Sequence, residues 1–82
     1  MIIIKICYND RFKDYECDTV IVNTTSGVIG IMQNHENLTT QLSIGSIKML
    51  NKDKQIIEEI FINSGLLQFN NRNNSCIITI LK

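Results

Sequence analysis

The sequence predicts an all-β domain, built as a sandwich or barrel of about eight to ten short strands. Apolar residues recur at every second position or in short β-branched runs. No window of about a dozen residues carries the i, i+3, i+4, i+7 apolar spacing of an amphipathic helix. Clusters of Gly, Asn, Asp and Ser separate the apolar runs. The length of 82 residues fits one such domain.

The amino-terminal part predicts three extended segments. The first, Ile2–Cys7, alternates its side chains between two faces, with the even-numbered isoleucines together on one of them. It ends at the polar turn Asn9-Asp10-Arg11, and a short extended piece, Phe12–Tyr15, follows. The third segment, Cys17–Asn23, places two valines on one face and ends at the turn-forming residues 24–27.

The stretch Gly27–Leu38 is predicted to be an exposed loop, because two glycines and the Asn34-His35 pair lie between β-like segments. The only helical candidate is a single turn at 34–38. Polar loops are predicted at 51–54 and 70–74. The remaining strands are predicted at Leu38–Leu42, Ile44–Leu50, Gln55–Ile62, Leu66–Phe69 and Cys76–Leu81.

Composition disfavours several partner classes. Eight basic and eight acidic side chains give a net charge of zero and form no cationic stripe, so we expect no nucleic-acid binding. The apolar start, Met1–Ile6, is far shorter than the ~20 residues of a membrane-spanning helix, so we expect no direct membrane insertion. Three cysteines form an odd set without metal-ligand spacing, which predicts reduced cytosolic thiols and no metal site.

Catalysis is also disfavoured. His35 is the one histidine, and a thiol hydrolase would pair it with a cysteine such as Cys17 or Cys7, but no local signature of such enzymes is present. Gly27 and Gly30 lack the lysine and the following helix of a phosphate-binding loop. We therefore predict no catalytic, cofactor-binding or metal-binding residues, and expect His35 to make contacts within its turn or with a partner protein.

The run from Val20 to Gly45 resembles the amino-terminal domain of the epsilon subunit of F-type ATP synthases. In that family a hydrophobic strand and a threonine-rich turn precede Gly-x-Leu-Gly-Ile-Leu and Asn-His-Ala-Pro-Leu. This chain keeps both glycines, Asn34-His35 and Leu38, and its segment 63–69 resembles the family's Ser-Gly-Gly-Phe-x-Glu-Val. Departures are the loss of the usual prolines at 23, 33, 37 and 44, and Val28 at a position that is often acidic.

This resemblance implies a flattened antiparallel β-sandwich of about ten strands, bound to the gamma subunit and resting on the c-ring of the rotor. It implies a non-catalytic central-stalk subunit that couples proton transport to ATP synthesis, peripheral on the cytoplasmic face of a bacterial inner membrane. The family's carboxy-terminal helical hairpin is not expected, because the sequence stops at Lys82. The expected contacts with gamma and the c-ring are Val28, Ile29, Gly30, Met32, Asn34, His35, Glu36 and Leu38.

Two other functions stay open at this stage. The chain could be a free-standing β-sandwich that binds a peptide or small ligand at a strand edge or cleft. It could also be an enzyme with a cysteine nucleophile, although nothing in the sequence lowers the pKa of a thiol. Co-purification with gamma would separate the first of these from the stalk subunit, and thiol reactivity would test the second.

Overall fold

The computed structural model describes residues 1–81, which form nine β-strands. All except β4 begin and end within two residues of a segment predicted from the sequence. The strands are β1 (Ile2–Tyr8), β2 (Arg11–Cys17), β3 (Thr19–Thr24), β4 (Gly27–Met32), β5 (Leu38–Leu42), β6 (Gly45–Leu50), β7 (Ile56–Ile62), β8 (Gly65–Asn70) and β9 (Ser75–Ile80).

The strands form one sheet that turns back on itself into two layers. The order along the sheet is β2-β1-β9-β8-β5-β3-β6-β7, and β4 pairs with the other side of β3. The turn between the layers lies where β5 meets β3, because only Thr24 and Leu42 are paired there. One layer therefore contains β2-β1-β9-β8-β5 and the other contains β4-β3-β6-β7.

The core lies between the layers and takes side chains from all nine strands. In β1, Ile2, Ile4 and Ile6 are buried whereas Ile3 and Lys5 are exposed, as the alternation predicts. Each fully buried side chain of this size contributes about 1.5–3 kcal/mol through removal from water. The fully buried members also include Val20, Ile31, Leu42, Ile47, Met49, Leu67 and Ile78.

The predicted fold class is confirmed: the described residues form an all-β sandwich with nine strands. Three details were wrong. Residues 27–32 form strand β4, so the predicted loop is confined to 33–37, and no helical turn is present at 34–38. The pairing is not wholly antiparallel either, because β1 and β9 run parallel.

Where the sheet turns back, Gly45 lies directly against the side chain of Asn23. Gly45 has a φ of +150°, and a Cβ at this position would overlap the Asn23 side-chain amide. The main chain is tied at the same place, where Ser43 N–H donates to the Asn23 carbonyl at 2.9 Å and Thr25 N–H donates to the Gln41 carbonyl at 3.2 Å. A residue without a side chain is therefore required at 45.

We expect Gly45→Ala to destabilise the domain by about 2 kcal/mol or more, because both the backbone conformation and the space oppose a methyl group. Gly30→Ala is the matched control, since a Cβ there would meet only Ile21 Cγ1 at 4.0 Å. Urea unfolding of the two variants measures the difference. Equal stabilities would contradict the role assigned to Gly45.

Candidate partner-binding surfaces

Strand β4 carries half of the residues predicted to bind partners, and it divides them between its two faces. Val28, Gly30 and Met32 point outward, with Val28 67% and Met32 53% exposed. Ile29 is half-buried and packs against the core, as does Leu38 at the start of β5. These two residues position the surface, whereas the outward three form it.

Val28 and His35 lie at opposite ends of β4. Val28 follows the two-residue turn at Thr25 and Ser26, where the Thr24 hydroxyl donates to the Gly27 carbonyl at 2.7 Å and accepts from the Ser26 N–H. Six strand residues span about 16–17 Å between first and last. The eight predicted residues therefore do not form one compact patch. They divide into a β3–β4 hairpin end and a turn at 33–37.

The turn at 33–37 is held by side-chain amides rather than by prolines. Asn34 has a positive φ of 68°, and its N–H donates to Asn74 Oδ1 at 2.7 Å. In return, Asn71 N–H donates to Asn37 Oδ1 at 2.8 Å. We call these four asparagines the amide cluster. They join the turn at 33–37 to the loop at 70–74, and compensate for the missing prolines at 33 and 37.

The amino terminus joins the same end of the molecule. The Met1 ammonium donates to Gln33 Oε1 at 2.7 Å, and Ile3 N–H donates to the Asn74 carbonyl at 3.1 Å. The turn, the loop at 70–74 and the first residue of the chain thus form one continuous surface. Its exposed groups are mainly uncharged amides, together with the Met1 ammonium, the Arg72 guanidinium and the Glu36 carboxylate.

His35 is half-buried and acts within its own turn. Its main-chain N–H donates to the Met32 carbonyl at 3.1 Å, and the ring nitrogen Nδ1 lies 2.8 Å from the Glu36 carbonyl oxygen. Because a carbonyl can only accept, Nδ1 carries the proton and donates in this contact. The imidazole meets the Phe69 ring edge-on, with centroids 5.9 Å apart. Such an aromatic pair contributes about 0.5–1.5 kcal/mol beyond its burial.

The thiols of Cys17 and Cys76 are buried in the core, and their raised pKa values disfavour catalysis. Burial, with a smaller contribution from Asp18, raises the pKa of Cys17 to about 11. Burial, followed by the neighbouring Cys17, raises the pKa of Cys76 to about 12. Both side chains are therefore protonated at neutral pH, and a thiol in that state is a poor nucleophile.

Neither a metal centre nor a membrane span is found in the part of the chain that the structure describes. Within residues 1–81, His, Cys, Asp and Glu side chains form no group of three that could hold a metal ion. Over the same residues, no helix has the length and apolar character needed to cross a bilayer.

Sequence reasoning missed the residues that hold the predicted turn in place. Phe69, Asn71 and Asn74 lie more than thirty positions from the turn along the chain, yet contact it directly. The asparagine run at 70–74 was recognised only as a polar loop. The segments 33–37 and 70–74 are both polar and rich in asparagine, which was visible in the sequence. That composition does not show that the two loops contact each other.

The family profile described as ATP synthase, Delta/Epsilon chain, beta-sandwich domain matches residues 6–81. The chain belongs to this family. The match covers all nine strands apart from the first residues of β1, so the fold and the family agree over the same residues.

Curated relatives in the family support this assignment. The ATP synthase epsilon chain of Caldanaerobacter subterraneus subsp. tengcongensis is 34% identical over 58 residues, which are 71% of this chain and 41% of that protein. The epsilon chain of Hydrogenovibrio crunogenus is 32% identical over 66 residues, 80% of this chain and 42% of that protein. The chain thus spans less than half the length of these two relatives.

Solved structures share the fold. A chain in the cryo-EM structure of the Euglena gracilis mitochondrial ATP synthase superposes with a TM-score of 0.86 at 20% identity, covering 99% of this chain and 51% of that one. A chain in the central stalk/c-ring structure from Tetrahymena thermophila gives 0.76 at 12% identity, covering 99% of this chain and 63% of that one. At these identities the likeness concerns the fold.

The buried thiols predict a loss of stability at alkaline pH. Unfolding returns Cys17 and Cys76 to the ordinary thiol pKa of 9.0. Above pH 9 the unfolded chain therefore releases protons that the folded chain retains, and the free energy of unfolding falls as pH rises towards 11. By pH 10 the expected loss is about 1 kcal/mol for each thiol.

Urea unfolding between pH 8 and pH 10.5 measures this loss. The double variant Cys17→Ala, Cys76→Ala should be less stable at pH 7 but should lose less stability over the alkaline range. If the free energy of unfolding fell equally with rising pH in the wild-type chain and the double variant, these thiols would not titrate as described.

Proposed function

We propose that the chain is a non-catalytic rotor subunit of a bacterial proton-translocating F-type ATP synthase, linking the gamma subunit to the c-ring. The observation that carries the proposal is the family match over residues 6–81. In this role the domain couples proton transport to ATP synthesis by rotating with both partners as one body. Its place is the cytoplasmic face of the inner membrane, without insertion into the bilayer.

The amount of exposed apolar surface supports a permanent partner. Thirteen large hydrophobic side chains are exposed among residues 1–81. A standard interface hides about 800 Å² on each partner, a large share of the 5284 Å² accessible surface. Where exposed apolar side chains form a contiguous patch, the patch marks an interaction site in soluble proteins.

The two ends of β4 support two separate contacts. We assign the hairpin end, with exposed Val28, to the c-ring, and the turn at 33–37, with Asn34, His35 and Glu36, to gamma. Gly30 and Met32 lie between these ends on the outward face. Because Val28 is uncharged, recognition at the hairpin end depends on shape and main-chain groups rather than on a salt bridge.

We expect Val28→Lys to weaken capture of the c-ring by about tenfold while leaving gamma bound, since it places an unpartnered cation in an apolar contact. His35→Ala should weaken capture of gamma while leaving the fold intact, because its ring supports the turn from outside the core. Pull-downs with tagged chain, purified gamma and purified c-ring measure both effects.

Thr25→Ala is the matched control at the hairpin end, because Thr25 is exposed and its side chain makes no hydrogen bond within residues 1–81. Failure of the wild-type chain to capture either partner would overturn the proposed function. Normal capture by both variants would overturn the assignment of the two ends.

We expect the isolated chain neither to bind ATP tightly nor to hydrolyse it. Gly27 and Gly30 lie on a β-strand, and residues 1–81 form no helix whose amino terminus could hold a phosphate. Isothermal titration with Mg-ATP, together with a phosphate-release assay, tests this expectation. Saturable binding at micromolar ATP would contradict it.

A further inference from the structure

Strand β7 is an unpaired sheet edge of unusual composition. It pairs with β6 on one side, and no other described strand pairs with it. Five of its seven residues are large and apolar, and Phe61 is 78% exposed. By contrast, the edge strand β2 carries four charged residues among seven, which protects it from added strands. The β7 edge lacks that density of charge.

An open apolar cavity of about 550 Å³ lies beside this edge. One side is formed by Ile60, Phe61 and Ile62 of β7, and the other side includes Tyr8 and Ile80 from the opposite layer. The cavity thus opens between the layers, at the end where β7 reaches Ile62. Added strands in known complexes gain affinity from main-chain hydrogen bonds and specificity from pockets that take alternate side chains.

The two adjacent glutamates of β7 face opposite ways. Glu58 is opposite the buried Met49, so it points inward with Ile60 and Ile62, and it is half-buried. Glu59 is opposite Lys48 and points outward. In the part of the chain that the structure describes, Glu58 has no ion pair, because the one close pair joins Lys54 and Asp18. A half-buried carboxylate of this kind favours a cation next to it.

No cationic side chain within residues 1–81 forms an ion pair with Glu58. Lys13, on the inward face of β2, lies over the Tyr15 ring at 5.3 Å from its centroid. A second copy of the chain is also disfavoured. An antiparallel β7–β7 pair centred on this strand would set Glu59 opposite the Glu59 of the second copy, which is destabilising, and would leave Glu58 opposite Ile60 without a cation.

We propose that β7 binds an extended basic-apolar segment of another protein, which adds as an antiparallel strand. In this added segment, a lysine or arginine faces inward against Glu58. Two residues earlier in the segment, a large apolar side chain faces inward opposite Ile60 and lies in the cavity. This site is separate from β4 and goes beyond the proposed stalk contacts. Antiparallel addition continues the β6–β7 pairing, whose only irregularity lies at Met49/Leu50.

The probe is the blocked peptide acetyl-Thr-Val-Thr-Phe-Thr-Lys-Thr-amide, as long as β7, which is 7 residues. In antiparallel register its lysine faces Glu58, its phenylalanine faces Ile60 and its valine faces Ile62. Backbone NMR shifts and amide hydrogen exchange follow binding to the whole chain. We expect saturable shifts along β7 and at Tyr8, and slower exchange of the β7 amides that point away from β6.

Three controls separate strand addition from unspecific adhesion. The peptide with valine and lysine exchanged has the same composition but should bind about tenfold more weakly. Two further peptides carry N-methyl groups on alternate main-chain nitrogens. The peptide whose methyl groups replace the N–H groups facing β7 should not bind, whereas the peptide methylated on the opposite edge should bind.

Glu58→Gln should weaken binding of the lysine peptide about tenfold, whereas Glu59→Gln, its matched control, should leave binding unchanged. Both variants should still capture gamma and the c-ring, so this test is independent of the proposed function.

Equal binding of the peptide and its exchanged form would overturn the proposal, as would equal effects of the two glutamate variants. Shifts confined to β2 or β4 would also overturn it. Absence of binding at millimolar peptide, or a dimer of the chain through β7 detected by sedimentation, would do the same.

Discussion

The close approach of Gly45 to Asn23 is the constraint on which the rest of the structure depends. At this place the sheet passes from one layer to the other, and β3 pairs with β4 on one side and with both β5 and β6 on the other. A side chain at 45 would overlap the side chain of Asn23 on β3. With the glycine, nine short strands share one core that none could form alone.

Folding the sheet into two layers also determines which side chains stay exposed and available to partner proteins. Because alternate residues of each strand point into the core, the others must point outward, and many of them are apolar in this chain. These outward apolar side chains are available for contacts with other proteins. The proposed place in the rotor, between two partner proteins, would give a physical reason for this surface.

Much of the fold could be predicted from sequence because period-two alternation is a local signal. The turn at Asn9 and Asp10, both with positive φ, was readable from residue type, and so was the end of β3. Strand β4 was missed because Gly27 and Gly30 resemble loop residues, while its pairing with β3 is what makes it a strand. The parallel β1–β9 pair could not be predicted, since it joins the two ends of the chain.

Less could be predicted about the local structure of the candidate partner-binding residues. The resemblance to the epsilon family gave the residues of β4 and its turn, but treated them as one loop with one role. Inward-facing Ile29 and Leu38, and the distance between Val28 and His35, follow only from the strand geometry. The partner roles of these residues remain predictions, and the amide cluster that holds the turn depends on contacts between distant segments.

A cryo-EM structure of the ATP synthase purified through a tag on this chain would test the central claim most directly. The account predicts density for the nine-stranded domain between gamma and the c-ring, with the β3–β4 hairpin against the ring and the turn at 33–37 against gamma. An intact synthase that lacks this domain at the foot of its stalk, or a purified chain without either partner, would contradict it.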